Sequence, residues 1–195
     1  MVRTFIAVQI SDTVRENLAN LIADLRSACA DVRWVSPENL HLTLKFLGDL
    51  EEKRIDEVAQ AVSRACRGFA PFAMSLQALG AFPSPKGPRV VWVGVVKGKD
   101  DLISLNESIE TELEQMGFEK EKRKYSPHLT IGRLRREGRP VDLADILSVG
   151  FDGGECVVDR VCVMKSTLTP RGPVYEELQR TILGTQKRGS NGKEG

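Results

Sequence analysis

The chain of 195 residues contains only two histidines, no cysteine pair in CxxC spacing, no long apolar run and almost no net charge. Each scarcity excludes something. The 28 Lys and Arg residues nearly cancel the 27 Asp and Glu, leaving +1. A nucleic acid therefore cannot be held by bulk charge, and any anion must be met by local placement of cations. The four cysteines, Cys29, Cys66, Cys156 and Cys162, are far apart. A chain of this length needs no disulfide staples, so they read as small buried hydrophobes. Cys156 and Cys162, an even number of residues apart, are expected to share one face of a strand. No segment approaches the roughly 20 apolar residues of a membrane span, and the apolar start is too short for a signal-peptide core. A cytoplasmic location is expected, with no membrane and no protein partner. Neither GxxxxGK nor HExxH occurs, and two histidines without cysteine ligands make a poor transition-metal site, so no metal and no cofactor is expected.

The remaining composition, 41% hydrophobic and 28% charged, is that of an ordinary folded chain. Residues 4–10 form a β-rich run. Ser11 then offers a helix cap, and Val14, Leu18, Leu21, Ile22 and Leu25 recur at helical spacing. Residues 32–35 are extended, and residues 41–48 alternate like a strand. Residues 51–66 read as an amphipathic helix with Ile55, Val58, Ala59, Val62 and Ala65 on one face. Residues 72–79 and 89–96 are strand candidates joined by a stiff connection, 82–88, with three prolines. A helix over 101–116 follows, with Leu102, Leu105, Ile109 and Leu113 in register and Gly117 as its stop. Then come a strand at 127–134, a short helix near 141–147, a strand over 155–164 and an extended or mixed segment around 174–183. Consecutive strand pairs fit antiparallel neighbours better than parallel crossovers, so the fold class is α+β. Residues 1–183 are expected to form a single domain, and the polar, glycine-rich tail 184–195 to be disordered.

The histidine supply is spent on one pattern. His41-Leu42-Thr43-Leu44 and His128-Leu129-Thr130-Ile131 repeat it. On composition alone the coincidence has odds of about one in 45,000. A lone His-x-Thr on a strand is ordinarily a satisfied structural pair; two copies that use every histidine point to chemistry. In a strand, His41 and Thr43 share a face while Leu42 and Leu44 face a core, and His128 and Thr130 do the same. If the strands lie close, two imidazoles and two hydroxyls line one cleft. One imidazole could take a proton from an attacking oxygen and the other return one to a leaving oxygen. The hydroxyls would stabilise charge on non-bridging phosphate oxygens.

Other residues are weighed on the same parity. Lys45 shares the face of His41 and Thr43, where it would either add positive charge to the cleft or stand as an exposed surface lysine. Arg133 falls opposite His128 unless a bulge intervenes at Gly132. Tyr125 and Phe46 could stack on a base or serve in core or rim packing. A basic run, Lys120, Lys122, Arg123 and Lys124, precedes the second motif, and Arg133, Arg135, Arg136 and Arg139 follow it. It serves either to track RNA phosphates or as a solvated face with Glu119, Glu121 and Glu137.

The paired H-L-T-[LI] units are similar to the two HxTx signatures of the 2H phosphoesterase superfamily. The flanks resemble its bacterial and archaeal branch, the RNA 2',3'-cyclic phosphodiesterases, also called 2'-5' RNA ligases. These are Phe5-Ile6-Ala7-Val8, the stretch from Trp34-Val35-Ser36-Pro37-Glu38-Asn39-Leu40 through Gly48, Pro88-Arg89-Val90-Val91-Trp92-Val93-Gly94, Ser126-Pro127 through Arg133, and Pro170-Arg171-Gly172-Pro173-Val174-Tyr175. The resemblance implies two pseudo-symmetric lobes around a central cleft, each giving one motif strand. It implies hydrolysis of an RNA 2',3'-cyclic phosphate end to a 2'-phosphate, with His41 as proton donor and His128 as acceptor. The residues alone leave those roles open. A 2'-5' ligase, a phosphodiesterase for small cyclic nucleotides or ADP-ribose cyclic phosphate, and a non-catalytic RNA-end module are the alternatives.

Overall fold

The computed structural model describes residues 1–29, 31–135, 143–148, 150–170 and 172–184. Its first strand, β1 (Val2–Val8), sends Ile6 and Val8 to one side and Phe5 and Ala7 to the other, and both sides are buried. Ser11 caps α1 (Asp12–Ala28) by accepting the Val14 amide at 3.3 Å. The apolar stripe from Val14 to Leu25 is buried as its spacing requires. There follow β2 (Val32–Trp34), a short 3-10 turn at Pro37–Asn39, β3 (Leu42–Leu50), α2 (Ile55–Ala65), β4 (Phe72–Phe82) and β5 (Val90–Val95). After them come α3 (Lys99–Glu114), β6 (His128–Leu134), α4 (Ala144–Leu147), β7 (Asp152–Val158), β8 (Arg160–Thr169) and β9 (Gly172–Ile182).

The strands form two sheets, ordered β3-β1-β8-β9 and β2-β6-β5-β4-β7, with every neighbouring pair antiparallel. Helix α1 packs on β7, while α2 and α3 pack on each other and against strands of the first sheet. The main core takes Ile6, Leu42 and Leu44 from one sheet and Val91, Val93, Leu129 and Ile131 from the other. A smaller cluster of Phe5, Ala7, Cys162 and Met164, with Tyr175, lies on the opposite face of the first sheet. This is the α+β architecture of two lobes expected for the chain.

The motif strands hold equivalent places, β3 beside β1 and β6 beside β5, and each carries a bulge at the same point. Ile6 pairs with Lys45 but Ala7 pairs with Thr43, so Leu44 is extra. Val91 pairs with Gly132 but Trp92 pairs with Thr130, so Ile131 is extra. In both strands the extra residue follows the motif threonine and the side chains next beyond it change face; in β3 a second extra residue, Leu47, restores the original alternation from Gly48 on.

Some expectations fail for identifiable reasons. The strand expected over 155–164 divides at Asp159, where the chain leaves the second sheet and enters the first. Cys156 and Cys162 therefore lie in different sheets and share no face, although all four thiols are buried and unpaired. Strand β4 runs on to Phe82, because its pairing with β5 continues as far as Val90. Arg136, Glu137, Arg139, Arg171, the start of the helix expected near 141, and the tail from 185 lie outside the described residues.

Lys45 is the clearest correction. The Leu44 bulge turns it away from the cleft, opposite Ile6, to a site where it is 4% exposed. Its ammonium donates to both Glu110 carboxylate oxygens, at 2.8 and 2.7 Å, and to the Glu119 carbonyl at 2.9 Å. Asn106 donates to the Leu44 carbonyl at 2.9 Å. Both acceptor and donor come from the buried stripe of α3, where polar residues interrupt the leucines to serve the motif strand. Breaking one partner of such a pair leaves an uncompensated buried charge. Glu110→Ala is expected to lower the free energy of urea unfolding by about 3–5 kcal/mol. Lys45→Met with Glu110→Leu should recover most of that loss; a double variant no more stable than the single one would contradict this account.

Candidate active site

His41 stands just ahead of β3 and His128 opens β6. Each ring is held by the same bond. Nδ1–H donates to the carbonyl two residues back, Asn39 for His41 and Ser126 for His128, both at 2.7 Å. A carbonyl can only accept, so Nδ1 carries the hydrogen and the neutral ring keeps its lone pair on Nε2. His41 Nε2 lies 3.1 Å from the Thr43 hydroxyl. Each ring also sits between two aromatics. Phe5 lies 4.8 Å from His41, and Tyr175 meets it edge-on at 5.0 Å. Phe82 meets His128 edge-on at 5.1 Å, and Trp92 lies 6.1 Å away. Trp92 lies close over the sheet because Gly80 has no side chain; a Cβ there would be 2.1 Å from the indole.

One hydrogen bond and one shared charge link the two motifs. The Arg133 guanidinium acts electrostatically on both imidazoles and on Tyr175. Tyr125, three residues ahead of His128, donates its hydroxyl to the Thr43 carbonyl at 2.9 Å. Arg133 is on the cleft face because the bulge at Ile131 intervenes: it pairs with Val90, two residues from the Trp92 that pairs with Thr130. Phe46 holds the matching place in β3, paired with Phe5 and 62% exposed. Of the two roles weighed above for Tyr125, base stacking and packing, the structure shows the second: it is a buried strut between the two motifs, and burial raises its hydroxyl pKa.

Burial is the main cause that lowers both histidine pKa values below the usual 6.5; the backbone bonds oppose it, and Arg133 adds to it. Arg15 contributes at His41 as well, from a position where it donates to the carbonyls of Pro37 at 2.7 Å and Leu40 at 3.2 Å and so steadies the turn ahead of the ring. Of the basic run, Lys120 pairs with Glu114 at 2.8 Å. Arg123 and Lys124 line a separate recess of about 380 Å³ together with Glu107, Glu110 and Glu121. Among the described residues no three His, Cys, Asp or Glu side chains are grouped to hold a metal ion, and no helix is long and apolar enough to cross a membrane. The aromatic clamps and Arg15 were not assigned from sequence, because the strand pairings that bring them to the rings are long-range.

The arrangement suits acid–base work on an anion: two imidazoles with Nδ1 tied back and Nε2 turned away from the backbone, two hydroxyls and one arginine around a cleft between two α+β lobes. A family model described as LigT like Phosphoesterase matches residues 8–92 and again 93–175, one motif in each half. The chain belongs to that family. It is 37% identical over 180 residues to the RNA 2',3'-cyclic phosphodiesterase of Methanothermobacter thermautotrophicus, covering 91% of this chain and 97% of the relative. It is 39% identical over 176 residues to the protein of the same name from Thermotoga maritima, covering 90% and 92%. Among solved structures it resembles TT0787 of Thermus thermophilus, with a TM-score of 0.78, 28% identity and coverage of 93% and 97%. Escherichia coli LigT complexed with 3'-AMP shares the fold at a TM-score of 0.75 and 24% identity, covering 95% and 99%.

The lowered imidazole pKa values make stability depend on pH. Below 6.5 the unfolded chain binds protons that the folded rings resist. Their contribution is therefore complete above 6.5 and is lost as pH falls through the folded values. His41→Gln should reduce the drop in urea midpoint between about pH 8 and about pH 5. An equal drop in wild type and variant would show that the ring is not desolvated.

Proposed function

We propose that this protein hydrolyses RNA 2',3'-cyclic phosphate ends to 2'-phosphates by a two-histidine mechanism that needs no metal. The observation that carries the reading is the matched anchoring of two imidazoles, each with Nδ1 tied to a carbonyl at 2.7 Å and each within the field of Arg133. Relatives named RNA 2',3'-cyclic phosphodiesterase, 37% and 39% identical to the chain, support the substrate class. Water beside His128 gives its proton to Nε2 and attacks phosphorus in line with the 3'-oxygen. The bond from phosphorus to that oxygen breaks, and the departing oxygen takes a proton from His41 Nε2. One water is consumed, leaving a 2'-phosphate and a 3'-hydroxyl. Thr43 and Thr130 donate to the non-bridging oxygens, and Arg133 balances their charge. Because the cleft takes one imidazole from each lobe, residues 1–183 act as one bilobal domain, and the four unpaired buried thiols suit the cytoplasm.

An oligoribonucleotide ending in 2',3'-cyclic phosphate, incubated in EDTA, should yield the 2'-phosphate. His41→Ala and His128→Ala should each lower kcat by about 10³–10⁴-fold while staying folded. Thr43→Ala and Thr130→Ala should each cost about 10²-fold. Unchanged substrate, or activity lost to EDTA, would overturn the reading. One imidazole must be neutral and the other protonated, and both free-enzyme values lie below 6.5. The bell in kcat/KM should therefore centre on the acidic side of 6.5, and an anionic substrate should move the kcat profile upward.

A further inference from the structure

β2 is the three-residue edge strand of the second sheet, and its middle residue, Arg33, stands directly opposite Arg133 in the antiparallel pair β2–β6. Directly opposed residues share a face, with Cβ atoms about 4.5–5.5 Å apart, and like charges so placed destabilise a sheet. Arg133 faces the cleft, so Arg33 does too, one strand further out and exposed. Among the described residues neither arginine forms an ion pair, and Asp31, two positions ahead of Arg33, forms none with it.

The strand that presents Arg33 is firmly held. Val32 and Trp34 pack inward over Gly132, where a Cβ would come within 2.6 Å of the Val32 side chain and 3.0 Å of the Trp34 ring. Backbone bonds extend the ladder at both ends, from the Val35 amide to the Ile131 carbonyl at 2.8 Å and from the Arg135 amide to the Asp31 carbonyl at 3.1 Å. Two guanidiniums in a row on firmly held strands, without ion pairs among the described residues and the inner one on the His128 face of β6, form a track for consecutive phosphates.

We propose that Arg33 is a subsite for the internucleotide phosphodiester next to the reacting end, and that it gives the enzyme a preference for RNA chains over cyclic mononucleotides. The inference rests on the RNA-end reading above and adds to it the direction in which the chain leaves the cleft, outward across β6 and β2. Arg133 meets the terminal phosphate; Arg33 meets the one before it.

The test compares kcat/KM for a decaribonucleotide ending in 2',3'-cyclic phosphate with that for cyclic 2',3'-AMP. Wild type should prefer the decamer. Arg33→Ala should reduce the ratio about tenfold, Arg33→Glu further, and Arg33→Lys should restore part of it. The slope of log KM for the decamer against log salt should fall by about 0.7 in Arg33→Ala, as one phosphate contact is lost. Equal losses on both substrates, or an unchanged ratio and slope, would overturn the subsite and leave the proposed reaction standing. A wild type that cleaves neither substrate would overturn the reaction instead. Calorimetric binding of the 2'-phosphorylated decamer against 2'-AMP then decides the subsite: a preference reduced by Arg33→Ala supports it, and equal affinities overturn it.

Discussion

The single extra residue after each motif threonine sets the cleft. Without the bulges at Leu44 and Ile131, alternation would send Lys45 into the cleft and Arg133 into the core. With them, His41 and Thr43 share their face with Phe46, and His128 and Thr130 share theirs with Arg133. The residues turned inward are chosen for that role. Lys45 meets Glu110 and the Glu119 carbonyl, and Gly132 leaves room for Val32 and Trp34. A bulge costs ladder hydrogen bonds and is maintained only where the surroundings over-determine it. Here α3 supplies that constraint, through Asn106 on the carbonyl of the bulged Leu44 and Glu110 on the next side chain.

Fixing the histidines requires two independent restraints, because a ring turns about two torsions. The Nδ1 bond to a carbonyl sets which edge faces the cleft, and the aromatic pair on either side limits rotation of the plane. The same aromatics desolvate the rings and push their pKa values down. Backbone bonding works against that push, so burial does not strip the rings of basicity. Arrival of an anionic phosphate adds a second opposing influence.

How much of this could be read from sequence depended on range. The histidine pairing was readable because composition makes it improbable and because period two is local. The helices were readable because their stripes span several turns, as at Leu102, Leu105, Ile109 and Leu113. The β-rich stretch from Val157 to Met164, broken only by Asp159 and Arg160, concealed the change of sheet at Asp159, since β8 buries Val161 and Val163 toward one cluster and Cys162 and Met164 toward another. A strand buried on both faces loses the alternation that would mark its ends. The bulges were invisible for a related reason: one inserted leucine or isoleucine among apolar neighbours changes parity without changing character. Phe82 reads as part of a proline-rich connection until β4 is seen to pair as far as Val90.

The two lobes repeat the His-x-Thr pair and the anchoring of its ring but not what stands beyond the bulge. Phe46 and Arg133 occupy matching positions, one an exposed aromatic ring and the other a guanidinium. Identical lobes would make a cleft indifferent to which way a ligand lies in it. A nucleotide is itself polar along its length, with an apolar face at the base and charge at the phosphate. An aromatic on one lobe and a cation on the other make the two orientations unequal in energy, since the wrong one sets phosphate against Phe46 and leaves Arg133 unpaired. A symmetric pair of imidazoles becomes a distinguishable donor and acceptor only when the ligand has one preferred orientation. In the proposed reaction the division of labour between His41 and His128 is then a property of the residues beside the motifs as much as of the motifs themselves.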